Sequence, residues 1–392
     1  MQNINFDKET NRANTYCEKW GKYNGQDIIP MWIADSDYET APEIIEALQK
    51  RVSHGVFGYS QQPTPGVQSA IKKHLKARYD WQIKKEWIVP LPSLVSGLQL
   101  STLMTSKENT DVIVPGTIYP PFNYVVENTN RCAIKIPMRL NSTKDSERWL
   151  IDFDLLEKAI TPKTELILFC NPHNPAGTVY TREELTRLQA ICSRHNLLIC
   201  SDEIHCDLIL DNQKKHIPIA TLNDDAANRT ITLMAASKTF NIAGLGFGFA
   251  VIPNAILRDQ FKILVRKNMP DINILAQTAT EAAFNQGQAW HKQQIAYLRG
   301  NRDYLMQRIN AIKGLKMYPL EATFLAWIDV SALKLDDPES FFEKAGVGIS
   351  AGKYFGDSNF IRLNFACRRK LLEEAINRIS NAIEHHHDLL PN

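Results

Sequence analysis

Short apolar runs alternate with amphipathic stretches along most of the chain. Apolar residues recur three or four positions apart in residues 42–54 and 65–79, a spacing typical of helices that bury one face. Other runs are apolar and partly β-branched, which predicts strands at residues 87–89, 111–114, 165–170, 197–201, 230–235 and 247–252. Strands that alternate with helices in this way indicate a mostly parallel sheet covered by helices on both faces.

The pattern changes after about residue 285, where a long helical stretch is followed by two strand-like runs and a terminal helix. We expect a large domain over residues 49–285 and a smaller C-terminal α/β domain over 286–392. Residues 1–48 are expected to form an N-terminal segment and part of the small domain. Their apolar stretch, residues 28–34, should pack on the small domain or on a neighbouring subunit.

Composition narrows the class of protein. The 392 residues include 45 basic and 43 acidic side chains, a formal net charge of +2, so no overall field favours nucleic acid as a partner. No apolar stretch approaches the roughly 20 residues of a membrane span, and we expect a cytoplasmic protein with no membrane partner. Seven cysteines without a Cys-x-x-Cys pair suggest reduced, buried thiols and no structural metal.

The most informative lysine is Lys238, which lies just after an apolar strand and just before a glycine-containing turn. Burial of an amine favours its uncharged form, which is the form that reacts with a carbonyl to give a Schiff base. The alternative is a lysine whose ammonium group reaches solvent from the strand end. That alternative would be favoured if the segment stood alone.

Two more polar residues follow predicted strands. Asp202 comes directly after one strand, at the edge where α/β sheets bind ligands, and a carboxylate there can keep a pyridine nitrogen protonated. Asn174 lies in a turn fixed by two prolines and a glycine, where its amide could donate to a ring oxygen. An aspartate helix cap and a purely structural turn are the respective alternatives.

With these three motifs in this order, the chain resembles the fold type I pyridoxal-phosphate enzymes of aminotransferase class I and II over essentially its whole length. The resemblance implies an α/β fold with a mostly parallel seven-stranded sheet in the large, cofactor-binding domain, a smaller α/β domain, and a homodimer. It implies pyridoxal 5′-phosphate as the cofactor. Lys238 would form the Schiff base and act in catalysis, Asp202 would pair with the pyridine nitrogen, and Asn174 would bind the ring oxygen.

Further positions match the same family. Tyr119 is similar to the catalytic aromatic residue that stacks on the cofactor ring. The backbone N–H groups of Leu94 and Val95, at a helix start, and the hydroxyl of Ser237 would bind the phosphate. Tyr59 is similar to the tyrosine that reaches the phosphate and the substrate from the partner subunit.

The expected substrate contacts come from two distant segments. Arg362 resembles the family arginine whose planar guanidinium clamps the substrate carboxylate through two parallel hydrogen bonds. A surface arginine on a strand is the alternative. Ala34, in the segment Pro-Met-Trp-Ile-Ala-Asp-Ser-Asp over residues 30–37, is also expected to contact the substrate.

Within the family, the segment 30–37 and His205 resemble bacterial cystathionine β-lyases and cystalysin-like carbon–sulfur lyases. Aminotransferases place a tyrosine at the position of His205, and they commonly carry a phosphate-binding arginine at the position of Gly246. The implied reaction is cleavage of L-cysteine thioethers to pyruvate, ammonia and a thiol. Ser36 and Ala351 depart from the lyase pattern and leave the substrate open. An aminotransferase is the main alternative, and a retained fold with an added regulatory binding role is another.

Overall fold

The computed structural model describes residues 4–12, 14–106, 108–142 and 147–389. The strands are β1 (Ile29–Pro30), β2 (Ile88–Leu91), β3 (Asp111–Pro115), β4 (Cys132–Ile136), β5 (Met138–Ser142), β6 (Glu147–Ile151), β7 (Thr164–Cys170), β8 (Leu198–Asp202), β9 (Thr230–Met234), β10 (Gly248–Val251), β11 (Lys316–Met317), β12 (Leu325–Asp329), β13 (Val347–Gly348), β14 (Ser350–Ala351) and β15 (Phe360–Asn364). The α-helices are α1 (Glu18–Gly21), α2 (Pro42–Ser53), α3 (Pro65–Tyr79), α4 (Leu94–Thr102), α5 (Pro121–Asn128), α6 (Phe153–Ala159), α7 (Arg182–Arg194), α8 (Asp224–Arg229), α9 (Ala255–Asn268), α10 (Ile274–Gln286), α11 (Gln288–Asn310), α12 (Pro338–Lys344) and α13 (Arg369–Leu389).

The central sheet has seven strands in the order β2-β10-β9-β8-β7-β3-β4. Strands β9, β8, β7, β3 and β4 run parallel, whereas β10 is antiparallel to both of its neighbours. Every residue of β9 is buried, as expected for a strand covered on both faces. The mostly parallel seven-stranded sheet is therefore confirmed, and the carboxyl ends of its parallel strands share one edge.

Six strands of this sheet match the apolar runs of the sequence, and β4 was missed. Its residues Cys132–Ile136 form an exposed edge in which only the last residue is buried. An edge strand with one solvated face lacks the continuous apolar run that marks a central strand. The helical pattern at residues 65–79 is confirmed to the residue as α3, which begins after Thr64, whose side chain accepts a hydrogen bond from the Val67 backbone.

A second sheet, with strand order β11-β12-β15-β14, is antiparallel and lies in the C-terminal part of the chain. The N-terminal segment joins this part, because β1 pairs in parallel with β13 and Met31 donates to the carbonyl of Gly348 over 2.7 Å. The apolar stretch therefore packs on the C-terminal unit of its own chain. The domain limits at residues 48 and 285 stay a prediction.

Two further observations concern the lengths and polarity of the helices and the state of the cysteines. Within the described ranges, every helix is too short or too polar to cross a membrane. All seven cysteines are free thiols, and the buried ones are Cys170, Cys192, Cys200, Cys206 and Cys367.

Candidate active site

A cavity of about 240 Å³ opens at the carboxyl edge of the central sheet, bounded by the ends of β7 and β8 and by the segment after β9. Side chains from the N-terminal segment and from β15 complete its wall. The sequence-predicted residues that line it are Ala34, Leu94, Val95, Tyr119, Asn174, Asp202, His205, Ser237, Lys238 and Arg362.

Lys238 follows β9 and lies largely buried in the cavity wall. Its Nζ donates a hydrogen bond to the carbonyl of Ala34 over 2.7 Å. Burial lowers the pKa of Lys238 to about 8, although the charge of Asp35 opposes this change. Because its ordinary pKa is 10.5, a larger fraction of the amine is uncharged near neutral pH. The amine is thus prepared to attack a carbonyl.

Asp202 ends β8, and its carboxylate lines the cavity. It accepts a hydrogen bond from the backbone of Ile204 over 3.1 Å. Burial raises the pKa of Asp202 to about 7, and the nearby charge of Glu203 adds to this. A cationic ring nitrogen would restore the charged form of this carboxylate, because an opposite charge favours ionisation.

His205 is 2% exposed and also lines the cavity. Burial, and then the charges of Lys238 and Arg362, lower the pKa of His205 to about 3. The imidazole is therefore neutral at physiological pH. Its Nδ1 is buried without a hydrogen-bond partner among the described residues, so it can serve a ligand.

Arg362 projects from β15 into the same cavity and is 4% exposed. Its guanidinium donates to Asn174 Oδ1 over 3.2 Å and to the carbonyl of Trp32 over 3.1 Å, and it lies 4.4 Å from the ring centre of Phe355. Burial lowers the pKa of Arg362 to about 10, which leaves it charged at neutral pH. These contacts fix the orientation of a buried cation.

Asn174 lies in the turn after β7 and is 5% exposed. Because its Oδ1 accepts from Arg362, its amide N–H groups are the atoms that can donate to a ligand. The turn closes at Gly177, where φ is +69° and an added Cβ would lie 2.1 Å from the Leu320 side chain. A glycine is therefore required for the turn that presents Asn174.

Another end of the cavity is suited to an anion. Helix α4 begins at Leu94 after Ser93, whose hydroxyl accepts from the Ser96 backbone over 3.1 Å, so the positive helix end faces the cavity beside Ser237. In the described part of the chain, Lys238 and Arg362 are the basic side chains that line the cavity. Backbone N–H groups and hydroxyls are therefore the donors that this end of the cavity would offer to a phosphate.

Gly246 lies in this wall at φ +71°, a conformation that side chains rarely adopt. The arginine that aminotransferases commonly carry at this position would be strained here. Tyr119 forms an aromatic part of the wall, and burial raises the pKa of its hydroxyl.

Tyr59 is fully exposed and does not line the cavity of its own chain. It lies in an exposed surface stretch together with Val56 and Phe57, which are 60% and 56% exposed. Its expected place in the site of a partner subunit stays a prediction.

Sequence reasoning missed several lining residues, namely Ile33, Pro92, Ser93, Phe122, Cys170, Ile204, Ala243 and Phe247. Cys170 pairs with Asp202 in the β7–β8 register, and burial raises the pKa of its thiol. This neighbour could have been found, because the last residues of adjacent parallel strands lie side by side. Phe122 follows a turn and carries no comparable signal.

The residues present fit pyridoxal phosphate on their chemistry. A reactive amine, a buried carboxylate of raised pKa and a buried imidazole nitrogen without a partner surround one cavity. The helix start and Ser237 supply the donors that a phosphate needs.

Comparison with known proteins agrees with this geometry. The family model described as aminotransferase class I and II matches residues 26–379. Cystathionine beta-lyase PatB of Bacillus subtilis (strain 168) is 34% identical over 392 residues, covering 97% of this chain and 100% of that protein. The crystal structure of OvoB has a TM-score of 0.94 and 44% identity, covering 97% of this chain and 99% of that one.

Cystalysin from Treponema denticola, whose structure contains a pyridoxal 5′-phosphate cofactor, has a TM-score of 0.92 and 30% identity, covering 98% of this chain and 100% of that one. The family match, the strand order and the site residues lead to one conclusion. The chain belongs to the aminotransferase class I and II family and has the fold of the type I pyridoxal-phosphate enzymes.

Proposed function

We propose that this chain is a pyridoxal-phosphate-dependent carbon–sulfur β-lyase that cleaves L-cysteine thioethers to pyruvate, ammonia and a thiol. The observation that carries the proposal is the convergence of Lys238, Asp202, Asn174 and Arg362 on one cavity. Relatives named cystathionine beta-lyase and cystalysin support this reaction over others of the fold.

The proposed cofactor contacts divide by chemistry. Lys238 would bind the cofactor covalently, and Asp202 would pair with the ring nitrogen, where two opposite charges would stabilise each other. Asn174 and His205 would contact the ring oxygen, and Tyr119 would contact the ring. Ser237 and the backbone of Leu94 and Val95 would bind the phosphate.

The bound cofactor supplies an electron sink for the substrate α-carbon. Arg362 holds the substrate carboxylate through two parallel hydrogen bonds, which fixes the α-proton toward Lys238. The substrate amine would first take the place of Lys238 on the cofactor. The freed amine of Lys238 removes the α-proton and becomes an ammonium group. The bond between the β-carbon and sulfur then breaks, sulfur leaves with the electron pair, and Lys238 returns the proton to the thiolate. Water hydrolyses the remaining three-carbon enamine to pyruvate and ammonia.

An aminotransferase would share every step through removal of the α-proton. It would then return the proton to the cofactor and require a keto acid to complete the cycle. His205 favours the lyase, because a neutral histidine replaces the tyrosine typical of aminotransferases at this position.

A direct assay separates the two reactions. Purified holoenzyme is incubated with L-cystathionine or an S-alkyl cysteine, with and without a keto acid, and pyruvate and free thiol are measured. We expect equal amounts of both without the acceptor, and no turnover by Lys238→Ala. Turnover that depends on the acceptor and releases no thiol would establish the aminotransferase instead.

We further propose a homodimer in which Tyr59 completes the site of the partner subunit. Its full exposure, beside exposed Val56 and Phe57, suits a surface that a second subunit covers. Mixing inactive Lys238→Ala and Tyr59→Ala protomers should restore about a quarter of wild-type activity, because half the dimers are mixed and each has one intact site. No restored activity would contradict a shared site.

Two other expectations stay open to test. A cytoplasmic location remains a prediction, which fractionation of expressing cells would check. An added regulatory binding role remains an alternative, and it would require a partner that binds with unchanged affinity to the catalytically dead Lys238→Ala protein.

A further inference from the structure

A second cavity adjoins the loop that leaves the active site. The chain lines the first cavity at His205 and enters the wall of the second at Cys206 and Asp207. This second cavity measures about 540 Å³ and lies between the end of α3, the loop 206–216 and helix α11. We call it the basic cleft. Its basic side chains are Arg78, Lys214, Lys215, Lys292 and Arg299.

The basic cleft concentrates positive charge. Against its five lysine and arginine side chains stand the lining carboxylates of Asp207 and Asp211. Glu321 adds a third, because its Oε1 lies 3.4 Å from Lys214 Nζ, so the net charge is +2 with the histidines neutral. The whole chain carries only +2. The charge of the cleft is therefore a local feature and does not follow from the composition of the protein.

The carboxylate of Asp207 is already used within the fold. It accepts hydrogen bonds from His74 Nε2 at 2.8 Å, Tyr79 Oη at 2.6 Å and Arg78 Nε at 3.2 Å. Burial would raise the pKa of Asp207, but His74 and the other donors lower it. The negative charge of Asp207 is thus paired with Arg78. It does not neutralise the other basic side chains of the cleft.

The remaining cations line the cleft from two elements, and one of them, Lys214, is paired with Glu321. Lys215 on the loop and Lys292 on α11 are exposed, and neither has an ion-pair partner among the residues that the structure describes. Arg299, also on α11, donates its Nε to the carbonyl of Leu210 over 2.8 Å. Burial and the charge of Arg302 lower the pKa of Arg299, as expected in a positive local field.

We propose that the basic cleft binds a small anion with a phosphate group, held between Lys215 on the loop and Lys292 and Arg299 on α11. A phosphate carries up to two charges and several acceptor oxygens, so it can contact both elements at once. Its binding would tie α11 to the loop 206–216, which directly follows His205 of the first cavity. This site is separate from the catalytic cavity and does not rest on the proposed function.

Calorimetric titration of the holoenzyme tests the site. The holoenzyme is used because its cofactor phosphate fills the anion end of the first cavity. Inorganic phosphate and glycerol 3-phosphate are titrated separately, with sodium chloride holding the ionic strength constant. We expect saturable binding of at least one of them. Equal affinities would identify free phosphate as sufficient, and tighter binding of the ester would identify a phosphate monoester.

The double variant Lys215→Gln/Lys292→Gln should weaken binding at least tenfold. The matched variant Lys158→Gln/Lys370→Gln removes two charges from exposed lysines outside the cleft and should keep wild-type affinity. Thermal unfolding without phosphate checks that both variants fold. Binding that does not saturate, or an affinity that is the same in both double variants, would overturn the proposal.

Discussion

Replacing Arg362 by lysine tests the proposed carboxylate clamp most directly. The guanidinium is positioned by Asn174 Oδ1 at 3.2 Å and the Trp32 carbonyl at 3.1 Å, and it lies against Phe355. Lysine keeps the charge but offers a single nitrogen, so one of two hydrogen bonds to the substrate is lost. A charge-assisted hydrogen bond contributes about 1.5 to 3 kcal/mol, which corresponds to a loss of roughly tenfold to 150-fold in kcat/KM.

The assay measures thiol release from an L-cysteine thioether over a range of substrate concentrations. Most of the loss should appear in KM, with the visible absorption of the bound cofactor unchanged, because Arg362 is assigned to the substrate carboxylate and to none of the proposed cofactor contacts. Arg258→Lys is the matched control. Arg258 is also largely enclosed, at 9% exposed, and donates to the carbonyls of Ile252 and Pro253 outside the cavity. A wild-type KM for Arg362→Lys, or an equal rise for Arg258→Lys, would refute the clamp.

Three further predictions concern Lys238 and the loop 206–216. Lys238→Ala should leave no cofactor that borohydride fixes to the chain, and retained covalent label would contradict the assignment of Lys238. The rate at which the apo-protein binds the cofactor, measured by stopped-flow absorption, should increase with pH and level off above about 8, because burial lowers the pKa of Lys238 to that value. A binding rate that still increases toward pH 10 would contradict this pKa. Asp207→Asn should lower the free energy of unfolding, measured in urea, by about 3 kcal/mol. This is the low end of the range for breaking a buried ion pair, because the partner Arg78 reaches solvent. Asp211→Asn keeps a side-chain oxygen that can accept the local hydrogen bond from the Gln213 backbone, so it should cost under about 1 kcal/mol. Equal costs would refute the network.

The sequence predicts what depends on neighbours along the chain. Asn174, Asp202 and Lys238 each follow an apolar run, and a strand buried on both faces must consist of such a run. Parallel strands then bring their carboxyl ends to one edge, so the side chains that follow them meet. The convergence of these three side chains on one cavity was therefore predictable without a structure, and their contacts with a cofactor stay a prediction.

The sequence does not predict contacts between distant segments. The hydrogen bond between Arg362 and Asn174 joins residues 188 positions apart, and the one between Lys238 and the Ala34 carbonyl spans 204. No local pattern encodes these pairs, because both depend on how the C-terminal part and the N-terminal segment pack on the large sheet. Strand β4 was not predicted for a related reason. It forms a strand because it pairs with β3, and this pairing is not visible in its own residues.

Asp202 and Glu203 are adjacent acids at the end of β8, and their side chains have different surroundings. Successive side chains of a strand point to opposite faces, so only one of two adjacent acids can face the cavity. Glu203 faces the interior, where Ser201 donates at 2.8 Å and His216 at 2.7 Å. Asp202 faces the cavity, and burial raises its pKa to about 7. Asp202 is thus the carboxylate without a side-chain hydrogen-bond partner among the described residues, and a ring nitrogen of a ligand would supply that partner.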